Sequence, residues 1–212
     1  IAGNNFVVCG YGDCGKGLAK RAQGMDAIVT VTEVDSFRAL QAVMDGFRVM
    51  PLKEAAKIGD IFVTVTGNKN IIDVEHIKLM KDGAILANAG HFDAEININS
   101  LRKIAKQRKI RQFMDEFTLG KKRIFILGEA RLINLAAAEG HPSSIMSMSF
   151  CNQAFACEFL VQNRGKLQPR VHVLPQEKDD EIARLQLDAM GIEIDALTKE
   201  QKKYLETWQE GT

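Results

Sequence analysis

The sequence lacks an excess of charge of either sign. It has 28 lysines and arginines against 27 aspartates and glutamates, a formal net charge of +1. This balance argues against a nucleic acid or a membrane surface as the main partner, since both attract strongly basic proteins. The sequence also has no apolar run long enough to cross a bilayer and no secretory signal at its start. Its 46% hydrophobic content is that of an ordinary globular protein.

Cysteine and histidine are scarce, with four of each. The cysteines form no C-x-x-C pair and the histidines no H-E-x-x-H motif, so we predict no metal site. The few cysteines make a reducing, cytoplasmic setting the default expectation. Cys9, Cys151 and Cys157 are expected to be buried thiols. Cys14 is expected to be a small side chain beside a ligand, although a helix start can lower a thiol pKa.

A glycine-rich loop follows the apolar residues 6–9. Read as G-x-G-x-x-G, with Gly10, Gly12 and Gly15, it is a dinucleotide-binding pattern. Read as G-x-x-x-x-G-K-[ST], it is a triphosphate loop in which Gly17 replaces the hydroxyl that should bind Mg²⁺. The missing hydroxyl favours the dinucleotide interpretation, and the triphosphate loop remains the alternative.

Glu33 supports the dinucleotide interpretation. It follows a strand-like segment at 27–32, close to the expected spacing of about 20 residues after the glycines. A carboxylate there accepts hydrogen bonds from the ribose hydroxyls of NAD and repels the 2′-phosphate of NADP. The alternative is a plain glycine turn beside a solvated glutamate.

Strand and helix patterns alternate through residues 1–142. They predict an α/β fold with a doubly wound parallel sheet, a Rossmann-like NAD domain. Helices are expected at 37–44, with Ala39, Leu40 and Val43 on one face, and at 101–106; residues 110–114 and 123–127 should be extended. Such sheets bind ligands beyond the carboxyl ends of their strands. Four predicted strand ends have unusual residues there: 10–17, Glu33, 66–68 and 88–91.

Residues 143–212 differ in character and predict a C-terminal helical extension. Residues 145–161 contain no glycine or proline and predict one long helix, followed by charged amphipathic helices at 178–190 and 199–208. This segment is expected to belong to a substrate or oligomerisation part. The chain starts at Ile1, next to a strand, so we expect an upstream substrate domain to be missing.

Together these motifs resemble S-adenosylhomocysteine hydrolase, over residues 1 to about 208. The resemblance implies that the chain is the later part of the subunit: the NAD domain, a helix that returns to the substrate domain, and the C-terminal tail. The matching segments are residues 7–17, 32–35, 66–68, 88–93 and 131–135, and the most specific ones are 139–143, 148–150 and 152–153.

The resemblance also implies residue roles. Glu33 would hold the adenosine ribose of NAD. His91 and His141 would lie where cofactor meets substrate, each weighed against a purely structural role, whereas His76 and His172 would be surface or structural residues. The pyrophosphate would be held by Gly12, Asp13, Cys14, Gly15, Lys16 and Gly17, and the rest of the cofactor by Thr66, Gly67, Asn68, Ala89, Gly90, His91 and Asn134.

The implied reaction hydrolyses S-adenosylhomocysteine to adenosine and homocysteine. NAD takes a hydride from the 3′ carbon, the resulting ketone acidifies the 4′ proton, and homocysteine is eliminated. Water then adds and the hydride returns. The implied assembly is a homotetramer, and the sequence does not decide between an adenosine and an inosine substrate.

Several features leave alternatives open. Arg38 lies where the family often has asparagine, and an arginine there can favour a 2′-phosphate, although Glu33 keeps the prediction at NAD. Residues 128–130 are Gly-Glu-Ala where Ala-Glu-Gly is common, and the tail at 208–212 lacks a longer arm, so NAD is expected to be held less tightly. The other candidates are a different NAD-dependent dehydrogenase and a non-catalytic, hydrolase-like NAD-binding regulator. By itself the chain is expected to bind NAD without turnover.

Overall fold

The computed structural model describes residues 1–207. Their Cα positions divide the chain into two compact units, one of residues 1–140 and the other beginning at residue 141. The tail residues 208–212, including the predicted end of the last helix at Trp208, lie outside the described residues.

A single sheet organises the first unit. Its strand order, within the described residues, is β3-β2-β1-β4-β5-β8-β7-β6. Pairing is parallel from β3 across to β8, which confirms the doubly wound parallel sheet. The strands are β1 (Asn5–Cys9), β2 (Ile28–Thr32), β3 (Arg48–Val49), β4 (Ile61–Thr64), β5 (Ala84–Asn88), β6 (Lys106–Arg111), β7 (Met114–Leu119) and β8 (Lys122–Leu127).

An antiparallel hairpin at one edge was not predicted. β6 pairs antiparallel with β7, and β7 with β8. The predicted helix at 101–106 is wrong, because the helix begins earlier, where the Asn97 side chain accepts a hydrogen bond from Ser100 N, and Lys106 already opens β6. The predicted extended segment at 110–114 spans the turn between β6 and β7.

Helices cover both faces of the sheet. Along β1, Val7 and Cys9 point into one apolar core, whereas Phe6 and Val8 point into the other. This alternation follows from the two-residue period of a strand and buries β1 on both faces. The helices of this unit are α1 (Asp13–Gln23), α2 (Ser36–Met44), α3 (Leu52–Ile58), α4 (Val74–Leu79), α5 (Ile98–Arg102) and α6 (Ile133–Ala136).

α2 is amphipathic, but its largest apolar side chains do not pack inward. Leu40 and Val43 are 59% and 52% exposed, whereas the small Ala42 is fully buried in the core with Phe47. A methyl group on the buried side lets the helix backbone lie close to the sheet. The predicted grouping of Leu40 and Val43 therefore identifies the outer face of α2.

The second unit is helical, as predicted. It contains α7 (Ser143–Gln162), α8 (Gln176–Ala189) and α9 (Lys199–Leu205). Cys151 and Cys157 are exposed on α7, so the prediction that they are buried thiols is wrong. Among residues 1–207, no helix combines the length and the apolar character needed to span a membrane.

The core can be tested with two phenylalanines of opposite exposure. Phe62 on β4 is fully buried, and Phe62→Ala is expected to lower the free energy of unfolding by about 3–5 kcal/mol through lost burial and a cavity. Phe37 on α2 is 69% exposed, and Phe37→Ala should change it by about 0.5 kcal/mol or less. Urea unfolding followed by circular dichroism measures both. Equal losses would contradict the arrangement of α2 on the sheet.

Candidate cofactor site

A cleft of about 1090 Å³ opens at the carboxyl ends of the parallel strands. It is lined by the loops after β1, β2, β4 and β5, as expected for ligand sites of doubly wound sheets. The structure therefore brings together ten of the predicted site residues: Gly12, Asp13, Cys14, Glu33, Thr66, Gly67, Asn68, Ala89, Gly90 and His91.

Other predicted site residues lie elsewhere. Gly15 is buried within α1, and Lys16 and Gly17 follow it on the same helix. Lys16 Nζ lies 6.0 Å from the centre of the Tyr11 ring. Asn134 belongs to α6 of the first unit, and His141 belongs to the second unit. The roles of all these residues stay predictions.

The glycine-rich loop is built on a close backbone contact. A Cβ at Gly15 would lie 2.2 Å from the carbonyl oxygen of Gly10, so any larger residue would force the turn apart. Gly10 itself has φ of +110°, which favours glycine. These two glycines hold the start of α1 against the end of β1.

The start of α1 fits an anionic group. Gly12 is its N-cap, and no side chain among residues 1–207 caps the helix there. A Cβ at Gly12 would meet only Arg38 Nη1, at 3.7 Å, so the backbone is open toward the cleft. Unsatisfied N–H groups at a helix start bind phosphates well. The loop can therefore hold the pyrophosphate of NAD.

Glu33 is fixed at the cleft by backbone donors. Its Oε2 accepts a hydrogen bond from Tyr11 N at 2.7 Å, and its Oε1 accepts from Val34 N at 2.7 Å and Asp35 N at 3.1 Å. Tyr11 is buried and its hydroxyl donates to Asp45 Oδ2 at 2.7 Å. Burial and then this hydrogen bond raise the pKa of Tyr11, so it remains a donor. Tyr11 thus ties the acid to the glycine loop.

Both cysteines near the loop have a raised thiol pKa. Burial raises the pKa of Cys9 to about 12, and Cys9 is buried as predicted. The pKa of Cys14 is also raised, first by burial and then by the negative charge of Glu95. The structure therefore contradicts a pKa lowered by the helix start. Cys14 acts as a small side chain in the cleft wall, with Sγ 3.9 Å from the Ala89 carbonyl oxygen.

Two buried polar residues hold the loops after β4 and β5 in place; the sequence pointed to the strand end at 88–91, which includes Asn88, but did not identify Glu95. Asn88 at the end of β5 accepts from Gly90 N at 2.8 Å, and its amide donates to the carbonyl oxygens of Phe92 and Ala130. Glu95 is fully buried and bonds to both loops. No local pattern marks Glu95, because its donors come from residues 28 and 29 positions earlier as well as from His91.

The histidines differ in placement. His91 lines the cleft, and its ring lies edge-on to Phe92 with 4.2 Å between ring centres. His76 also lines the cleft, and its Nδ1 accepts a hydrogen bond from Asp73 N at 3.2 Å and so caps α4. His172 is half-buried, with Nε2 2.9 Å from the Gln168 carbonyl oxygen. Within the described residues, no cluster of potential ligands is arranged to hold a metal ion.

The side-chain oxygen of Asn134 is a hydrogen-bond acceptor without a donor in the described part of the chain. This atom, Oδ1, is buried. Buried polar atoms are rarely left unpaired, so this oxygen suits a donor supplied by a ligand, such as the carboxamide of NAD. Within the cleft itself, the open helix start and the anchored Glu33 together fit a dinucleotide.

Comparison with known proteins agrees with this geometry. Residues 1–140 match the family described as S-adenosyl-L-homocysteine hydrolase, NAD binding domain. Over the whole chain, the adenosylhomocysteinases of Gloeothece citriformis and Saccharolobus solfataricus are 58% and 59% identical, and the S-inosyl-L-homocysteine hydrolase of Methanocaldococcus jannaschii is 59% identical. The aligned region is 50%, 51% and 51% of those proteins, so the chain spans about half their length.

The glycine contact predicts a position-specific effect on cofactor binding. Gly15→Ala is expected to raise the Kd for NAD about tenfold or more, because its Cβ would push the loop away from the Gly10 carbonyl. Gly24, at the other end of α1, has its nearest neighbour at 3.4 Å, so Gly24→Ala should leave the Kd unchanged. Calorimetric titration measures both. A Gly15→Ala variant that bound NAD normally would contradict the role of this contact.

The charges at the adenosine end predict the choice of cofactor. We expect NAD to bind more tightly than NADP, because Glu33 repels a 2′-phosphate. Glu33→Gln should reduce this preference by about tenfold or more, and Arg38→Asn, which removes a neighbouring positive charge, should not reduce it. Fluorescence titration with each nucleotide measures the preference. Tighter binding of NADP than NAD to the unaltered chain would contradict the assignment of Glu33.

Proposed function

Because the chain belongs to the S-adenosyl-L-homocysteine hydrolase family, we propose that it is the NAD-binding half of an enzyme that hydrolyses S-adenosylhomocysteine to adenosine and homocysteine. The observation that carries the proposal is the match with the NAD-binding domain of that family over residues 1–140, which include the whole cleft. Relatives named adenosylhomocysteinase, 58–59% identical over the entire chain, support it.

The residues of the cleft would bind and orient the cofactor. The N–H groups at the start of α1 would hold the pyrophosphate, Glu33 the adenosine ribose, and Asn134 the carboxamide. When bound, NAD supplies reversible hydride acceptance, and the protein supplies position and electrostatics. The next catalytic cycle would need no external oxidant, because the hydride is returned to the substrate within each cycle.

Two histidines are the candidates for proton transfer in this chain. The His91 ring lies in the cleft wall beside the loop that holds Gly90, and an imidazole there can polarise or protonate an oxygen of the substrate. His141 is proposed for the same region on the resemblance alone. On the same resemblance, further acid, base and lysine groups for substrate binding and proton transfer are expected upstream of this chain.

S-inosylhomocysteine, which carries a different purine, is a second candidate substrate. A relative named S-inosyl-L-homocysteine hydrolase is as similar to this chain as those named adenosylhomocysteinase, at 59% identity. The two substrates differ only in the purine. The residues proposed above bind the pyrophosphate, ribose and carboxamide of NAD, and none of them is proposed to contact the purine of the substrate. Substrate preference would then be set by the other half of the enzyme.

The setting and assembly are also proposals. All four cysteines, each within the described part of the chain, are free thiols, which is consistent with a reducing cytoplasm. The exposed apolar side chains Phe150, Leu160 and Val161 on α7 are consistent with an interface in a homotetramer.

Turnover by a two-half enzyme tests the proposed function. Joined to the first half of a close relative, the chain is expected to release homocysteine from S-adenosylhomocysteine, measured with a thiol reagent. The chain alone should bind NAD but release none, because the substrate groups are missing. S-inosylhomocysteine in parallel distinguishes the two substrates. Turnover by the chain alone would contradict the proposal that the substrate groups lie in the other half. An inactive joined enzyme that binds NAD would favour the alternative of a non-catalytic, hydrolase-like NAD-binding regulator.

A further inference from the structure

Glu95 is a buried carboxylate to which the proposed mechanism gives no role. It lies between β5 and α5 and is fully shielded from solvent. Oε1 accepts hydrogen bonds from Gly67 N at 2.7 Å and His91 N at 2.9 Å. Oε2 accepts from Thr66 N and Thr66 Oγ1, both at 3.0 Å. Glu95 thus joins the loop after β4 to the loop after β5.

These partners suit an ionised carboxylate. Backbone N–H groups only donate, and the Thr66 hydroxyl accepts from Asn68 N at 3.1 Å, which leaves its proton for Glu95. Among residues 1–207, no ion pair includes Glu95. A negative charge therefore lies behind the cleft wall, held by hydrogen bonds rather than by a cation.

Only the loops that bond to Glu95 separate its carboxylate from the cleft. Thr66, Gly67 and His91, which bond to Glu95, line the cleft themselves. A Cβ at Gly90 would lie 1.8 Å from Glu95 Oε1, so bare backbone covers the carboxylate there. Burial and then this charge raise the pKa of Cys14 at the start of α1, whose Sγ lies 3.9 Å from the Ala89 carbonyl oxygen. Such a charge acts over several ångströms in surroundings of low dielectric constant.

The loops that hold Glu95 belong to the nicotinamide half of the site. Glu33 after β2 marks the adenosine half, and β4 and β5 lie on the other side of β1. The nicotinamide ring carries a positive charge when oxidised and none when reduced. A carboxylate nearby therefore stabilises the oxidised form alone, whereas the pyrophosphate charge is the same in both forms.

We propose that the Glu95 carboxylate makes this site prefer oxidised over reduced NAD. The inference rests on the proposed function, in which the cofactor returns to its oxidised form in every cycle. Glu95 does not touch the reacting atoms in this arrangement; it positions two loops and places a fixed charge behind them. It favours the return of the hydride to the substrate by lowering the free energy of the oxidised cofactor.

Binding constants for the two forms test the proposal. The unaltered 212-residue chain is expected to bind NAD⁺ more tightly than NADH in calorimetric titrations. Glu95→Gln, which keeps the size and removes the charge, should raise the ratio of the NAD⁺ Kd to the NADH Kd about tenfold or more. Tighter binding of NADH by the unaltered chain would overturn the proposal, and this result needs no variant to fold.

Two variants separate charge from loop position. Glu95→Asp keeps the charge with a shorter reach, so both Kd values should rise and their ratio should stay within about twofold. Glu116→Gln removes another largely buried carboxylate, which pairs with Arg108 on β6, and should leave the ratio unchanged. If Glu95→Gln raised both Kd values equally, Glu95 would only hold the loops and the proposal would fail. A joined enzyme that is inactive although the unaltered chain keeps the expected ratio of Kd values would instead contradict the proposed function and leave this proposal standing.

Discussion

The parallel pairing of β1 with both β2 and β4 is the interaction on which the site depends. β1 pairs with β2 along its whole length and with β4 from Phe6 to Cys9, so all three strands end at the same edge. The chain reverses its winding between β1 and β4, and the loops that follow them separate into a cleft. The glycine loop, Glu33 and the Thr66 loop meet there only because these strands are in register.

Backbone proximity and buried polar groups then fix the loops. The contact between Gly15 and the Gly10 carbonyl sets the first loop, and Asn88 and Glu95 set the loops after β4 and β5. Gly90 is required beside Glu95 for the same reason that Gly15 is required beside Gly10: no Cβ fits. The carboxylate and the glycine that covers it therefore form one unit, which gives the nicotinamide half of the cleft both its shape and its charge.

Predictions from the sequence succeeded where the information is local. The glycine spacing, the acid after the second strand and the alternation of strands and helices each lie within a few tens of residues, and each was confirmed as structure. The predictions failed where the structure of a segment depends on residues that are distant in the sequence. The exposure of Cys151 and Cys157 depends on what packs against α7, and the β6–β7 hairpin depends on an edge offered by β8. Glu95 went unnoticed because an acid between apolar residues has no meaning until its donors are known.

The sequence by itself determined the class of fold, the dinucleotide loop and the family, because these follow from periodicity and from short motifs with fixed chemistry. Only the tertiary structure decided which predicted residues share the cleft, that Tyr11 anchors Glu33, and that Glu95 lies behind the loops after β4 and β5. The physical reason is that burial and charge act through space: hydrogen bonds between residues far apart in the chain exist only after the strands have paired.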